Sequence, residues 1–265
     1  MKILAFLWRD WLIESGYRAS FFLHWAGVLF NVAVFYFMGR LIGPTAAPML
    51  ASYGGDYFAF ALVGFALNGY FATGLSTFAS NLRQAQMTGT LEAMLLSPTR
   101  PSLLVIGSSL WDYLLVTLNV LAYLAIGALL GANLSHSNYV AAFGVLALSV
   151  VTFSSVGIIA ASVILVTKRG NPVTWAINAL FTLLGGVFYP VEILPGYLQQ
   201  LAALLPITHA LRAMRLALLQ GYSLSALARE VMILAAFAVV LVPLSLLAFR
   251  LAVRLAKREG SLAQY

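Results

Sequence analysis

The chain has 265 residues, of which 62% are hydrophobic and only 9% charged, with a formal net charge of +7. A soluble domain carries roughly 25% charged residues, so this chain cannot cover its own surface in water and its excess apolar surface must face lipid. The basic residues lie between and beside apolar runs, not in aromatic-interleaved patches, which sets nucleic acid aside as a partner. The lack of cysteine excludes disulfides, thiolate metal sites and cysteine nucleophiles.

Met1–Arg18 mixes Arg9, Asp10 and Glu14 with apolar residues, so it does not read as a cleavable signal. Leu4, Leu7, Trp8 and Trp11 follow helical spacing, which predicts an amphipathic helix lying on the membrane surface. Six segments are long and apolar enough to cross a bilayer, for which about 20 residues are needed. They are Ser20–Ile42, Tyr57–Ser80, Leu103–Leu130, Tyr139–Val166, Val173–Tyr189 and Val231–Val253. Between the first two, Gly43–Asp56 holds Pro44, Pro48, Gly54 and Gly55 and reads as an irregular turn region. Gly131–Asn138 reads as a short polar turn. Pro190–Arg229 is too polar for an ordinary span and too apolar for a solvated loop. Pro190, Pro195 and Pro206 divide it, and Ile207, Leu211, Met214 and Leu218 form a helical stripe, which predicts a re-entrant pair of short helices packed on the bundle.

The fold class predicted is therefore an all-α membrane protein of six transmembrane helices. It has an interfacial N-terminal helix over 1–18, a cytoplasmic loop over 83–100 and an outer re-entrant segment over 190–229. All belong to one transmembrane domain, 1–265. Orientation follows from basic residues. One side holds Lys2, Arg9, Arg18, Arg83, Arg100, Lys168, Arg169, Arg250, Arg254, Lys257 and Arg258; the other holds Arg40, Arg212, Arg215 and Arg229. That bias places both termini in the cytoplasm of a multi-pass cell-membrane protein.

The chain carries no nucleophile elbow, zinc-binding HExxH or phosphate-binding loop. His24, His136 and His209 are widely separated, and Asp56, Asp112 and Arg40 fall near span ends. Asp112 is the best of these for a buried polar role. No catalytic residue, metal site or cofactor is predicted for the chain itself. Gly39–Gly43, Gly127–Gly131 and Gly157–Ala161 are small-residue pairs that permit close helix approach.

The most informative stretch is RQAQMTGTLEAMLLSPTRP, Arg83–Pro101. Gly89 and Thr90 open a short helix, and Glu92 suits its positive end. Leu91, Leu95 and Leu96 give it an apolar side, and Ser97–Pro98 stops it. Such a helix either rests on lipid or plugs a groove on a soluble partner; the residues alone weigh these equally.

GTLEAMLLSPTRP resembles the cytoplasmic loop of ABC-2 type exporter permeases. GGVFYPVEILPGYLQQLAALLPITHALRAMRLALLQG, over Gly185–Gly221, is similar to that family's stretch after its fifth span. The order and topological places of both stretches agree, so the resemblance covers essentially the whole chain. It implies a transmembrane subunit that forms dimers, with a second copy or a paralogue, and works with a cytoplasmic ATP-binding subunit. ATP and magnesium would then be bound by that partner. The loop helix would be the coupling helix, with Thr88, Gly89, Thr90, Leu91, Glu92 and Leu95 at the groove of the ATPase. The lead-in Gln84–Met87 lacks the charge common in the family, which shifts docking toward the apolar contacts of Leu91 and Leu95.

The first and fifth spans would line the path, with Asn31, Phe35 and Phe37 in one and Asn178, Phe181 and Thr182 in the other. Arg212 and Arg215, three residues apart, would share one side of the outer helix. They would hold an anionic group there or snorkel to the interface. The implied activity is export of an amphiphile (a drug, a lipid or a lipid-linked glycan), and the competing class is an ATP-independent transporter or channel.

Overall fold

A computed structural model describes residues 18–87, 101–167 and 171–258. Eight α-helices lie among them: α1 Arg18–Ala46, α2 Tyr57–Met87, α3 Pro101–Leu129, α4 Tyr139–Thr167, α5 Asn171–Leu184, α6 Gly196–Ala203, α7 Pro206–Leu219 and α8 Ala228–Arg258. No strand occurs among the described residues. Five helices are long and apolar enough to span a bilayer, or six if the bent pair α6–α7 counts as one span. The expected surface helix over 1–18 and the coupling helix lie outside the described residues, apart from Arg18 itself, which opens α1.

Lipid as solvent explains why these sequences are apolar all round: one face packs on protein, the other on acyl chains, and neither needs charge. Phe22, Leu23, Phe30, Phe37 and Leu41 of α1 are exposed and apolar. The hub is α2. Its apolar window is 72% buried, against 17% for α1 and 11% for α3 and for α8. It packs against α1, α3, α4, α5 and α7, while α8 closes the bundle against α4.

Small residues make the tightest crossing possible. Gly74 and Gly157 meet where α2 crosses α4; a Cβ on Gly157 would collide with the Gly74 carbonyl oxygen. Phe71 and Phe153 meet edge to face at 5.3 Å beside them. Helix starts are marked in the sequence: Asp56 Oδ1 accepts the Phe58 amide at 2.9 Å, and Asn138 Oδ1 accepts that of Ala141 at 3.0 Å.

Two expectations are corrected. Gly43–Asp56 is mostly helical: α1 continues through Pro44 to Ala46, and a 3-10 turn runs over Ala47–Tyr53 to Gly54. The fifth predicted span, Val173–Tyr189, is helical only to Leu184. At 14 residues, α5 is about 21 Å long, short of the roughly 30 Å hydrocarbon core. Gly185 and Gly186 end it, the latter at φ +77°, and irregular backbone follows through Pro190. Beyond it α6 and α7 join at 89°, the geometry of a broken span or a re-entrant loop.

Candidate functional site

The early stop of α5 leaves carbonyls in a buried stretch without the donors of a following turn. Irregular backbone is tolerated there only when other protein groups satisfy it. Arg215 on α7 supplies the donors. Its Nη1 donates to Gly186 O at 2.8 Å, its Nη2 to Val187 O at 2.6 Å and its Nε to Phe60 O at 3.2 Å. The guanidinium also lies 3.4 Å from the centre of the Phe60 ring. Gly64, one turn along α2, leaves the room: a Cβ there would strike Val187 O and Arg215 Nη2. Arg215 is 3% exposed, so it does not share an outer anion contact with Arg212. It is a fastener for the broken helix.

Arg212 is different. Its side chain is 49% exposed, and its Nε lies 3.5 Å from Glu230 Oε1 in the first turn of α8. Tyr53 OH donates to Glu192 Oε1 at 3.4 Å, tying the turn after α1 to the segment after α5.

The residues predicted to line the path divide into two kinds. Phe35 is buried, 5.1 Å from the Phe65 ring and 6.0 Å from that of Phe188. Phe181 stacks on Phe71 at 4.7 Å. Within the chain these two rings pack α1 and α5 onto α2. Phe37 is exposed. Asn31 returns its amide to Gly27 O of its own helix at 2.8 Å. Thr182 Oγ1 donates to Asn68 Oδ1 of α2 at 3.3 Å, and Asn178, one turn away, has a buried Oδ1 that accepts no hydrogen bond.

Two cavities flank α3, one on each side, and sequence reasoning missed both. The first, about 470 Å³, lies between α2 and α3. Its polar wall includes Thr73, Ser76, Ser80, Asp112, Asn119 and Tyr123. Thr77 Oγ1 donates to Asp112 Oδ2 at 2.9 Å, so the carboxylate joins the two helices. His24 Nε2 lies 2.7 Å from Asn119 Oδ1 and ties α1 to the same wall.

The second cavity, about 920 Å³, is mainly apolar and lies between α3 and α4, with α2, α7 and α8 completing it. Two hydroxyl pairs cross its walls: Tyr70 OH donates to Thr117 Oγ1 at 2.9 Å, and Tyr113 OH meets Ser154 Oγ at 2.6 Å. A signal for the first cavity was present in the spacing. Asp112, Asn119 and Tyr123 fall on one face of a helix, as do Thr73, Ser76, Thr77 and Ser80.

Over residues 20–247 the sequence matches the family described as ABC-2 family transporter protein. The chain belongs to the ABC-2 transporter family. No curated protein sequence matches it. An ABC-2 protein of this kind is a multi-pass membrane permease, the transport component of its system and generally not catalytic itself. Its family generally works with an ATP-binding subunit. Among the described residues no cluster of three or more His, Asp or Glu side chains is placed to hold a metal.

Proposed function

We propose that this ABC-2 permease exports an amphiphile, driven by a separate cytoplasmic ATP-binding subunit that binds the ATP and magnesium. Thr88, Gly89, Thr90, Leu91, Glu92 and Leu95 form the coupling surface, both termini are cytoplasmic, and a second copy of the chain completes the pathway. Asn31, Phe37, Asn178 and Thr182 face that pathway. Arg212 offers an anion contact at the far end, beside the re-entrant pair α6–α7.

The observation that carries this reading is the placement of α3. It is the helix that leaves the 88–100 loop, α2 is the helix that enters it, and together they bound a polar cavity on one side and contribute to an apolar one on the other. A push on the loop therefore acts directly on walls suited to a headgroup and to a tail. Coupling of this type requires contacts that differ between two states.

The test is purification of the tagged chain from its native host in mild detergent, with identification of co-purifying proteins and assay of ATP hydrolysis. A stoichiometric ATP-binding subunit is expected, with its retention and its ATPase activity lost in Leu91→Asp and Glu92→Lys chains that insert normally. Normal transport by those variants removes the coupling assignment. A preparation without partner or ATPase activity after crosslinking in intact membranes removes the ATP-driven reading.

A further inference from the structure

The polar cleft between α2 and α3 has more chemistry than a packing defect needs. Building on the permease reading, we propose that it is a binding site for the headgroup of an amphiphile, and that it selects a headgroup that donates hydrogen bonds, either a polyol or a primary ammonium.

The argument is a proton inventory. Ser76 donates its hydroxyl proton to Ala72 O at 2.7 Å, and Ser80 donates to Thr77 O at 3.0 Å. Thr77 gives its proton to Asp112 Oδ2, and Asn81 Nδ2 approaches the same oxygen at 3.5 Å. At the end of the cleft nearest the 88–100 loop, these protons are spent within the protein. A hydroxyl whose proton is engaged still offers oxygen lone pairs, so Ser76 and Ser80, both exposed, present acceptors. A ligand reaching them must bring the N–H or O–H. At this end of the cleft a headgroup made only of acceptors would meet lone pairs with nothing to pair them, and sites reject ligands that leave polar groups unpaired. Toward the other end, Thr73 and Tyr123 carry hydroxyls that can accept or donate.

The size also fits. About 470 Å³ falls within the roughly 300–1,000 Å³ of ligand sites. Phe65, Leu115 and Val120 line the cleft itself, which gives an acyl tail an apolar surface beside the polar wall that holds the headgroup.

The absence of cysteine makes the test clean. Ser76→Cys, and separately Ser80→Cys, each place a single thiol in the cleft of the full chain, reconstituted in lipid nanodiscs without any ATP-binding subunit. Ser135→Cys, exposed in the turn before α4, serves as the control. The rate of alkylation by N-ethylmaleimide is measured with four amphiphiles sharing a dodecyl tail: dodecyl maltoside, dodecylamine, dodecyltrimethylammonium and dodecyl sulfate. Donor-bearing heads are expected to slow alkylation in the cleft about tenfold, the discrimination that one or two hydrogen bonds give. The other two leave it unchanged, and the control thiol responds to none. Protection by maltoside alone supports a polyol ligand, and protection by the amine alone supports an ammonium. Equal protection by all four would reduce the site to tail binding and overturn the proposal, as would protection by none or a cleft thiol that never reacts. Because no partner subunit is involved, failure of ATP coupling and failure of this site are separate results.

Discussion

Replacing Arg215 with methionine keeps a side chain that reaches Phe60 but removes every donor. The structure lets the cost be worked out. Phe60 O lies inside α2 and keeps its place in a helical ladder, whereas Gly186 O and Val187 O sit in irregular backbone and depend on Arg215. Two buried carbonyls left unpaired cost about 1–3 kcal/mol each. Removing a buried charge returns part of that, because desolvating the guanidinium was itself unfavourable. A net loss of about 3 kcal/mol follows, which at roughly 2–4 °C per kcal/mol lowers the apparent Tm by about 6–12 °C.

The measurement is thermal unfolding of the purified chain in detergent, paired with hydrogen exchange across 185–195. Faster exchange should be confined to that segment and the adjoining end of α5. Gly64→Ala attacks the same joint from the other side, since its Cβ would strike both Val187 O and Arg215 Nη2. It should reproduce the exchange pattern with the arginine still present. An Arg215→Met chain that melts with its parent and exchanges normally at 185–195 would refute the fastener role and reopen Arg215 as a ligand contact.

Gly157→Ala should destabilise by about 1–3 kcal/mol through overpacking against the Gly74 backbone. Gly43→Ala, whose Cβ would meet open space, should leave the melting point unchanged; equal effects at the two sites would dismiss the crossing. Arg212→Ala should cost about 1 kcal/mol, because Arg212 is half-exposed while the Glu230 carboxylate it leaves behind is nearly buried. Its export of an anionic amphiphile should fall while that of a neutral one holds. Equal rates for both would leave Arg212 as a tie to Glu230 and nothing more.

Much of the architecture was legible from composition. Too few charges for water, apolar runs of bilayer length, and Asp56 and Asn138 at helix starts all act locally, so four full-length spans and the last helix can be read in order. The break after Leu184 was marked by Gly185 and Gly186, yet apolar residues continue to Tyr189, and hydropathy does not register whether backbone is hydrogen-bonded. The family was carried by short loop and post-span stretches whose residue types are tied to their place in the topology.

Other features needed the tertiary structure. Arg212 and Arg215 are three apart, and helical periodicity puts them on one side of the helix. Only the packing of α7 against α2 and the end of α5 sends Arg215 inward to carbonyls 28 and 29 residues away, while Arg212 stays at the surface. Phe35 and Phe181 likewise became packing residues because α2 stands between α1 and α5. The polar face of α3 was written in the spacing of Asp112, Asn119 and Tyr123, but it became a cavity only because α2 supplies a facing row of hydroxyls. The sequence alone determined which segments are apolar enough to enter the membrane, because transfer from water depends on local composition. The tertiary structure alone decided which polar groups meet, because hydrogen bonds depend on positions that distant segments share.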